Sequence, residues 1–126
     1  MNGLKPVPGL LNMWATIYKP ENKYIGRCGI YPNFNLQNRP ISSEAALGLY
    51  IDKAWWGRGL ATEAGRAFID FGFNSLQINR IVTAIDTRNV VSVHVIEKLG
   101  FKLARTEEGN PRSFYHYILE RESRNL

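Results

Sequence analysis

The sequence predicts a mixed α/β fold, an α+β sheet that is antiparallel on both flanks with one parallel crossover at its centre. Three observations predict it. A nearly continuous apolar run at 44–51 passes through a glycine-bearing junction into a helical stripe at 60–71. A short β-branched run at 80–85 follows at once, which makes a strand–helix–strand unit, and such units are parallel and right-handed. Strand-like pairs separated by turn signals lie on each side, at 13–18 with 24–30 and at 101–106 with 113–120.

The elements follow in order. Residues 13–18 are rich in aromatic and β-branched types, and Lys19-Pro20-Glu21-Asn22-Lys23 is a turn signal, so 24–30 returns as the second strand of a hairpin. Residues 31–43 hold Pro32, Pro40 and several asparagines without apolar periodicity and read as a loop. Residues 44–51 suit a strand covered on both faces. Leu60, Ala64, Ala67, Phe68 and Phe71 mark one face of a helix, which Asn74-Ser75 ends. After the strand at 80–85, Val91, Val95 and Leu99 form a second helical stripe, read as core, and Gly100 suits the end of that helix. Residues 101–106 and 113–120 form the last hairpin around Glu108-Gly109-Asn110-Pro111.

The chain has 126 residues, enough for one domain that buries a core without disulfides. Cys28 is the single cysteine, which excludes an intramolecular disulfide and a multi-cysteine zinc site. No apolar run reaches the length of a membrane span, and Met1-Asn2-Gly3-Leu4-Lys5-Pro6 lacks the regions of a signal peptide, so a cytoplasmic protein without a membrane partner is expected. The net charge of +5 favours an anionic partner, either a nucleic acid or a polyanionic small molecule. No aromatic RNA-binding motif or recognition-helix pattern supports the nucleic acid.

The segment Trp55-Trp56-Gly57-Arg58-Gly59-Leu60-Ala61-Thr62-Glu63-Ala64 carries the chemistry. Glycines there let backbone approach a ligand closely, and the first helical turn offers unpaired N–H groups at the positive end of the dipole, a natural phosphate site. A plain strand-to-helix turn explains the same residues. Thr62 standing where the third glycine belongs argues against a dinucleotide fingerprint, and Leu60 after Gly59 argues against a nucleoside-triphosphate loop. Downstream, Asn89-Val90-Val91-Ser92 leads into Glu97-Lys98-Leu99-Gly100-Phe101, and Asn89 suffices as a helix cap.

Taken together and in this order, the two motifs resemble the GNAT superfamily of acyl-coenzyme A N-acyltransferases, and most nearly its ribosomal-protein N-terminal acetyltransferase branch. The resemblance covers about residues 14–121 and includes Trp14-Ala15-Thr16-Ile17 and Tyr24-Ile25-Gly26-Arg27-Cys28-Gly29. It implies acetyl-CoA as co-substrate, no metal, and direct transfer of an acetyl group to a primary amine of a protein N-terminus or a small molecule. By resemblance, Gly57, Arg58, Gly59, Leu60, Ala61 and Thr62 hold the coenzyme diphosphate. The pantetheine arm lies between splayed parallel strands, here 47–51 and 82–85, against backbone groups of Leu49, Tyr50 and Ile51. Asn89 and Ser92 border the same ligand.

The tyrosine that many family members place on the second helix is absent, since Val95-Ile96 stands there. Ser92 matches the serine that the ribosomal branch places near the sulfur and is the expected proton donor. The glutamate usual before the Leu-Gly pair is Ala46, and Glu44 on the same strand face is the remaining candidate base. His94 and His116 read as packing or surface residues. The family places a further strand and two helices ahead of the Trp14 hairpin, and only residues 1–13 stand there in this chain. A shortened acceptor side is therefore expected, with exposed apolar surface that favours a homo-oligomer. A coenzyme A-binding homologue without catalysis is the alternative.

Overall fold

The computed structural model describes residues 12–124. Its elements are β1 (Asn12–Tyr18), β2 (Lys23–Phe34), β3 (Pro40–Ile51), α1 (Leu60–Asp70), β4 (Arg80–Asp86), α2 (Val90–Lys98), β5 (Lys102–Glu107), β6 (Phe114–Glu120) and a short α3 (Arg121–Arg124). Short 3-10 turns occupy Lys19–Glu21 and Lys53–Trp55, and a π-helical turn, Phe71–Ser75, extends α1. Among the described residues the strands form one six-stranded sheet in the order β1-β2-β3-β4-β6-β5. Only β3 and β4 pair in parallel, and every other neighbouring pair is antiparallel. The sequence-derived order of elements and the mixed sheet are therefore observed.

The expected loop at 31–43 is corrected. Residues 31–34 extend β2 and residues 40–43 begin β3, which leaves a turn at 35–39. The asparagines that suggested a loop hold this turn. Asn35 Oδ1 accepts hydrogen bonds from the Gln37 and Arg39 amides at 2.9 and 3.1 Å, and Asn38 takes a left-handed φ of 60°. The two prolines are tolerated because a register irregularity between Pro32 and Phe34 interrupts the ladder beside them.

The core is one layer between a single sheet face and the two longer helices. Cys28, Ile30, Leu47, Ile81, Tyr117 and Leu119 share that face by the strand registers, and they meet Ala64 and Phe68 of α1 and Ile96 of α2. The helices touch where α1 has no side chain: a Cβ at Gly65 would lie 2.6 Å from Leu99 Cδ1. Arg121 braces the π-helical turn. Its guanidinium donates to the Ile78 carbonyl at 3.1 Å and to the Phe73 carbonyl, and it stacks on the Phe73 ring. No helix among the described residues is long and apolar enough to cross a membrane. The expected N-terminal shortening concerns residues 1–13, of which 1–11 lie outside the described residues.

Candidate functional site

The site begins where the parallel pair opens. β3 and β4 are in register only at Glu44↔Arg80, Ala45↔Ile81 and Ala46↔Val82, although β3 runs on to Ile51 and β4 to Asp86. Thr83 Oγ1 donates to the Leu47 carbonyl at 3.0 Å, the first residue of β3 past the paired stretch. At the far end, Trp56 Nε1 donates to the Ile51 carbonyl at 2.8 Å. Backbone polar groups alternate sides along a strand, so Leu47, Leu49 and Ile51 turn theirs toward the gap. The even residues turn toward β2, as the 2.7 Å bond from the Asp52 amide to the Ile25 carbonyl shows. The N–H and C=O of Leu49 are thus aimed into the gap, while the backbone of Tyr50, expected beside them, pairs toward β2. Tyr50 borders the gap, and its side chain is 61% exposed.

The glycine loop closes over the same end. Gly57 and Gly59 hold φ values of 80° and 76°, the region that favours glycine, and a Cβ at either would meet nothing within 4 Å. The open space thus lies where the sequence argument sets an anion. Gly59 caps α1 without a side-chain bond, and the first bond within the helix runs from the Glu63 amide to the Gly59 carbonyl at 3.0 Å. The amides of Leu60, Ala61 and Thr62 precede that bond and point out of the helix end.

Gap, loop and α2 enclose one cleft of about 1150 Å³. Its lining includes Leu49, Tyr50, Ile51, Gly57, Gly59, Leu60, Ala61, Thr62, Asn89 and Ser92. Asn89 Oδ1 accepts from the Ser92 amide at 3.2 Å, so Asn89 is a helix cap and borders the cleft as well.

Two expected site residues stand apart from the cleft lining. Arg58 lays its guanidinium 4.4 Å from the centre of the Trp55 ring, and Trp55 in turn packs on Tyr18 with centroids 5.0 Å apart. Glu44 lies at the paired end of β3, where Oε1 accepts from Asn33 Nδ2 at 2.7 Å and Oε2 stands 3.6 Å from Arg80 Nη1. The structure does not bring Glu44 together with Ser92.

The α2 stripe is also corrected. Val91 is 43% exposed and, with Val95, lines the cleft; the buried residue of this helix is Ile96, 2% exposed. Val93 and Leu99 pack with Ile96 against the core. The sequence reading missed Thr83 and Trp56. A hydroxyl within the apolar run Ile81-Val82-Thr83-Ala84-Ile85 was the available signal, because a buried hydroxyl requires a partner.

Several groups titrate away from their ordinary values for visible reasons, Asp86, Tyr117 and Cys28 among them. The Arg88 side chain, which donates twice to the carboxylate at 3.1 and 2.9 Å, and the Arg88 amide hold Asp86 down to about 2. Burial, and then the 3.0 Å bond to Glu97 Oε2, pushes Tyr117 up to about 12. Burial raises the Cys28 thiol.

A family model described as an acetyltransferase (GNAT) domain matches residues 5–102, and the chain belongs to the GNAT acetyltransferase family. It is similar to the uncharacterized N-acetyltransferase p20 of Bacillus licheniformis, 33% identical over 94 residues, 75% of this chain and 50% of that protein. It is similar also to the L-amino acid N-acetyltransferase AaaT of Escherichia coli, 32% identical over 100 residues, 79% of this chain and 57% of that protein. Among solved structures, the ribosomal-protein-S5-alanine acetyltransferase of Vibrio fischeri superimposes with a TM-score of 0.75 at 23% identity, covering 88% of this chain and 62% of the other. That likeness is one of fold. The chain spans about half the length of the curated relatives it matches.

Proposed function

We propose that this chain binds acetyl-CoA in the cleft and transfers the acetyl group directly to a primary amine, of a protein N-terminus or of a small molecule. The observation that carries the reading is the opened β3–β4 pair, with the Leu49 backbone aimed into it and the Gly57–Gly59 loop at its mouth. An extended arm bearing amides can add to β3 there as a short strand. The amides of Leu60, Ala61 and Thr62 suit a diphosphate.

Bound acetyl-CoA supplies an activated acyl carbon as a thioester. The Leu49 amide is the N–H donor on this strand suited to the oxyanion. Ser92 Oγ, half-buried on the cleft wall, is the group that gives a proton to the departing sulfur. Glu44 takes no part, because its oxygens are engaged by Asn33 and Arg80. An α-amino group has a free pKa of roughly 7.7–8.0 against roughly 10.4 for lysine, so an α-amine reacts near neutrality without a strong base. This favours α-amines over lysine side chains as acceptors. By their names, AaaT acts on L-amino acids, the Vibrio fischeri enzyme on an alanine of ribosomal protein S5, and a further Escherichia coli relative on spermidine.

Calorimetric titration with acetyl-CoA tests the binding. Saturable binding by the native chain and its loss in Gly59→Glu are expected; no binding by the native chain overturns the reading. One specific observation favours a second reading, a coenzyme A binder without turnover: Ile96, at the place where the family resemblance implies a tyrosine, is buried, and Glu44 is bonded elsewhere. Thiol release measured over amino acids, peptides and polyamines separates the two, since sustained acceptor-dependent release excludes the binder. Within the first reading, a second copy or further chain covers the sheet face away from α1, and sedimentation analysis tests this.

A further inference from the structure

The gap between β3 and β4 has two sides. Helices α1 and α2 cover one of them, and Ser92 stands on that side. An amine that meets a thioester held in the gap comes from the other side, the sheet face that the helices leave open. Ala84 of β4 lines the gap and is exposed, and its partner on β6 is His116. Directly paired residues of antiparallel strands project to the same face, so His116 stands on the open face beside Ala84, whose side chain is a single methyl group. Across the gap, extending the parallel register from Ala46↔Val82 by two residues brings Gly48 opposite Ala84. A Cβ at Gly48 would lie 2.9 Å from the Met13 sulfur and 3.1 Å from the Tyr50 ring. Met13 and Tyr50 thus flank the opening on the β3 side, and His116 flanks it on the β6 side.

His116 Nε2 lies 2.7 Å from Glu107 Oε1 on β5, and the His116 side chain is 27% exposed. An ionised carboxylate only accepts, so Nε2 carries the hydrogen and a neutral ring has its lone pair on Nδ1. Nδ1 makes no hydrogen bond among the described residues. The other charged groups on this face are Arg105, in register with His116 on β5, and Asp86, two residues beyond Ala84 and engaged by Arg88. We propose that His116 is a catalytic residue on the acceptor side, where Nδ1 takes the proton that the attacking amine loses, and that Glu107 is a positioning residue that fixes the ring. The inference rests on the acetyl-transfer reading above. The amine nitrogen bonds to the acyl carbon, the carbon–sulfur bond breaks, and Ser92 protonates the sulfur. The proton from nitrogen passes to Nδ1 and on to solvent, from which Ser92 regains its own. Amide and thiol are the products. The two proton transfers thus occur on opposite sides of the gap, and an imidazole is base enough for an α-amine.

The test follows the acetylated amine by mass spectrometry for the native chain, His116→Ala, His116→Gln and Glu107→Ala. The acceptors are L-amino acids, a peptide beginning with alanine, and spermidine. Both His116 variants should lower kcat on the order of a hundredfold, the lower range for a general base, with the acetyl-CoA dissociation constant unchanged. Added imidazole should restore part of the rate of His116→Ala and none of that lost in Glu107→Ala, whose smaller loss comes from a misplaced ring. The native rate should rise with pH through an ionisation that the His116 variants lack. A native kcat in both His116 variants overturns the inference and leaves the functional reading intact. A loss that imidazole does not restore, with the native pH profile retained, marks a structural role and overturns it too. If thermal melting shows His116→Ala to be unfolded, His116→Gln and its pH profile decide. Failure of the native chain to acetylate any of these amines overturns the transfer reading together with this inference.

Discussion

Thr83 Oγ1 donates a 3.0 Å hydrogen bond to the Leu47 carbonyl at the point where β3 and β4 stop pairing. The main-chain ladder could not leave that carbonyl unsatisfied inside the sheet, so a side chain from the neighbouring strand completes it. Thr83 is therefore the closure of the split. Thr83→Val keeps the shape and removes the donor, and it should cost about 1–3 kcal/mol, the range for a buried acceptor left without its partner. Thr83→Ser should recover most of the loss. Urea unfolding of the three proteins measures both, and an unchanged midpoint in Thr83→Val would remove Thr83 from this role.

Arg58 was expected at the diphosphate, and it stacks on Trp55. Arg58 braces the loop through Trp55, which itself lines the cleft. Arg58→Ala should lower stability by about 0.5–1 kcal/mol, the scale of an exposed cation–π contact. Its dissociation constant for acetyl-CoA should stay within about threefold of the native value, an effect below that of losing a charge-assisted hydrogen bond. Tenfold or greater weakening would return Arg58 to the phosphate.

The cleft side of the fold was legible because its signals are local. Glycines before a helix, an asparagine cap and an apolar strand each impose geometry within a few residues, and the loop, α1 and α2 formed as the sequence indicated. The limits are equally physical. Helix α2 is apolar on two faces, so Val91 and Val95 fit a helical stripe as well as Val93, Ile96 and Leu99 do; only packing reveals which set is core. Asparagines and prolines at 31–43 signal turns, yet side-chain bonds from Asn35 compress the turn into five residues. The Arg58–Trp55 stack and the Glu44–Arg80 contact join side chains whose pairing no spacing rule encodes.

Ser92 has a backbone role and a proposed chemical one, and these separate on mutation. Its amide satisfies the Asn89 cap and survives Ser92→Ala, so stability should change little. Loss of a positioned proton donor should lower kcat on the order of a hundredfold with the acetyl-CoA dissociation constant unchanged. Steady-state kinetics beside calorimetry checks this. A native kcat in Ser92→Ala would assign the proton to solvent.

Two groups set opposite limits on stability against pH. Asp86 is depressed to about 2 by Arg88, below an unfolded value of roughly 3.9. The folded chain therefore releases the proton more readily, and this contribution is present above about pH 4 and is lost as pH falls toward 2. Asp86→Asn should flatten the stability curve across that acid interval. Tyr117 is raised to about 12, above an unfolded value of roughly 10, through burial and its bond to Glu97. Its sign is reversed: the contribution is complete below about pH 10 and is lost as pH rises toward 12. Tyr117→Phe removes both the ionisation and the hydrogen bond, so it should cost about 1 kcal/mol at neutral pH and lose less than the native protein between pH 10 and 12. Urea midpoints measured across both intervals give the two slopes. Native and Tyr117→Phe curves that stay parallel through the alkaline interval would mean that another group governs alkaline unfolding.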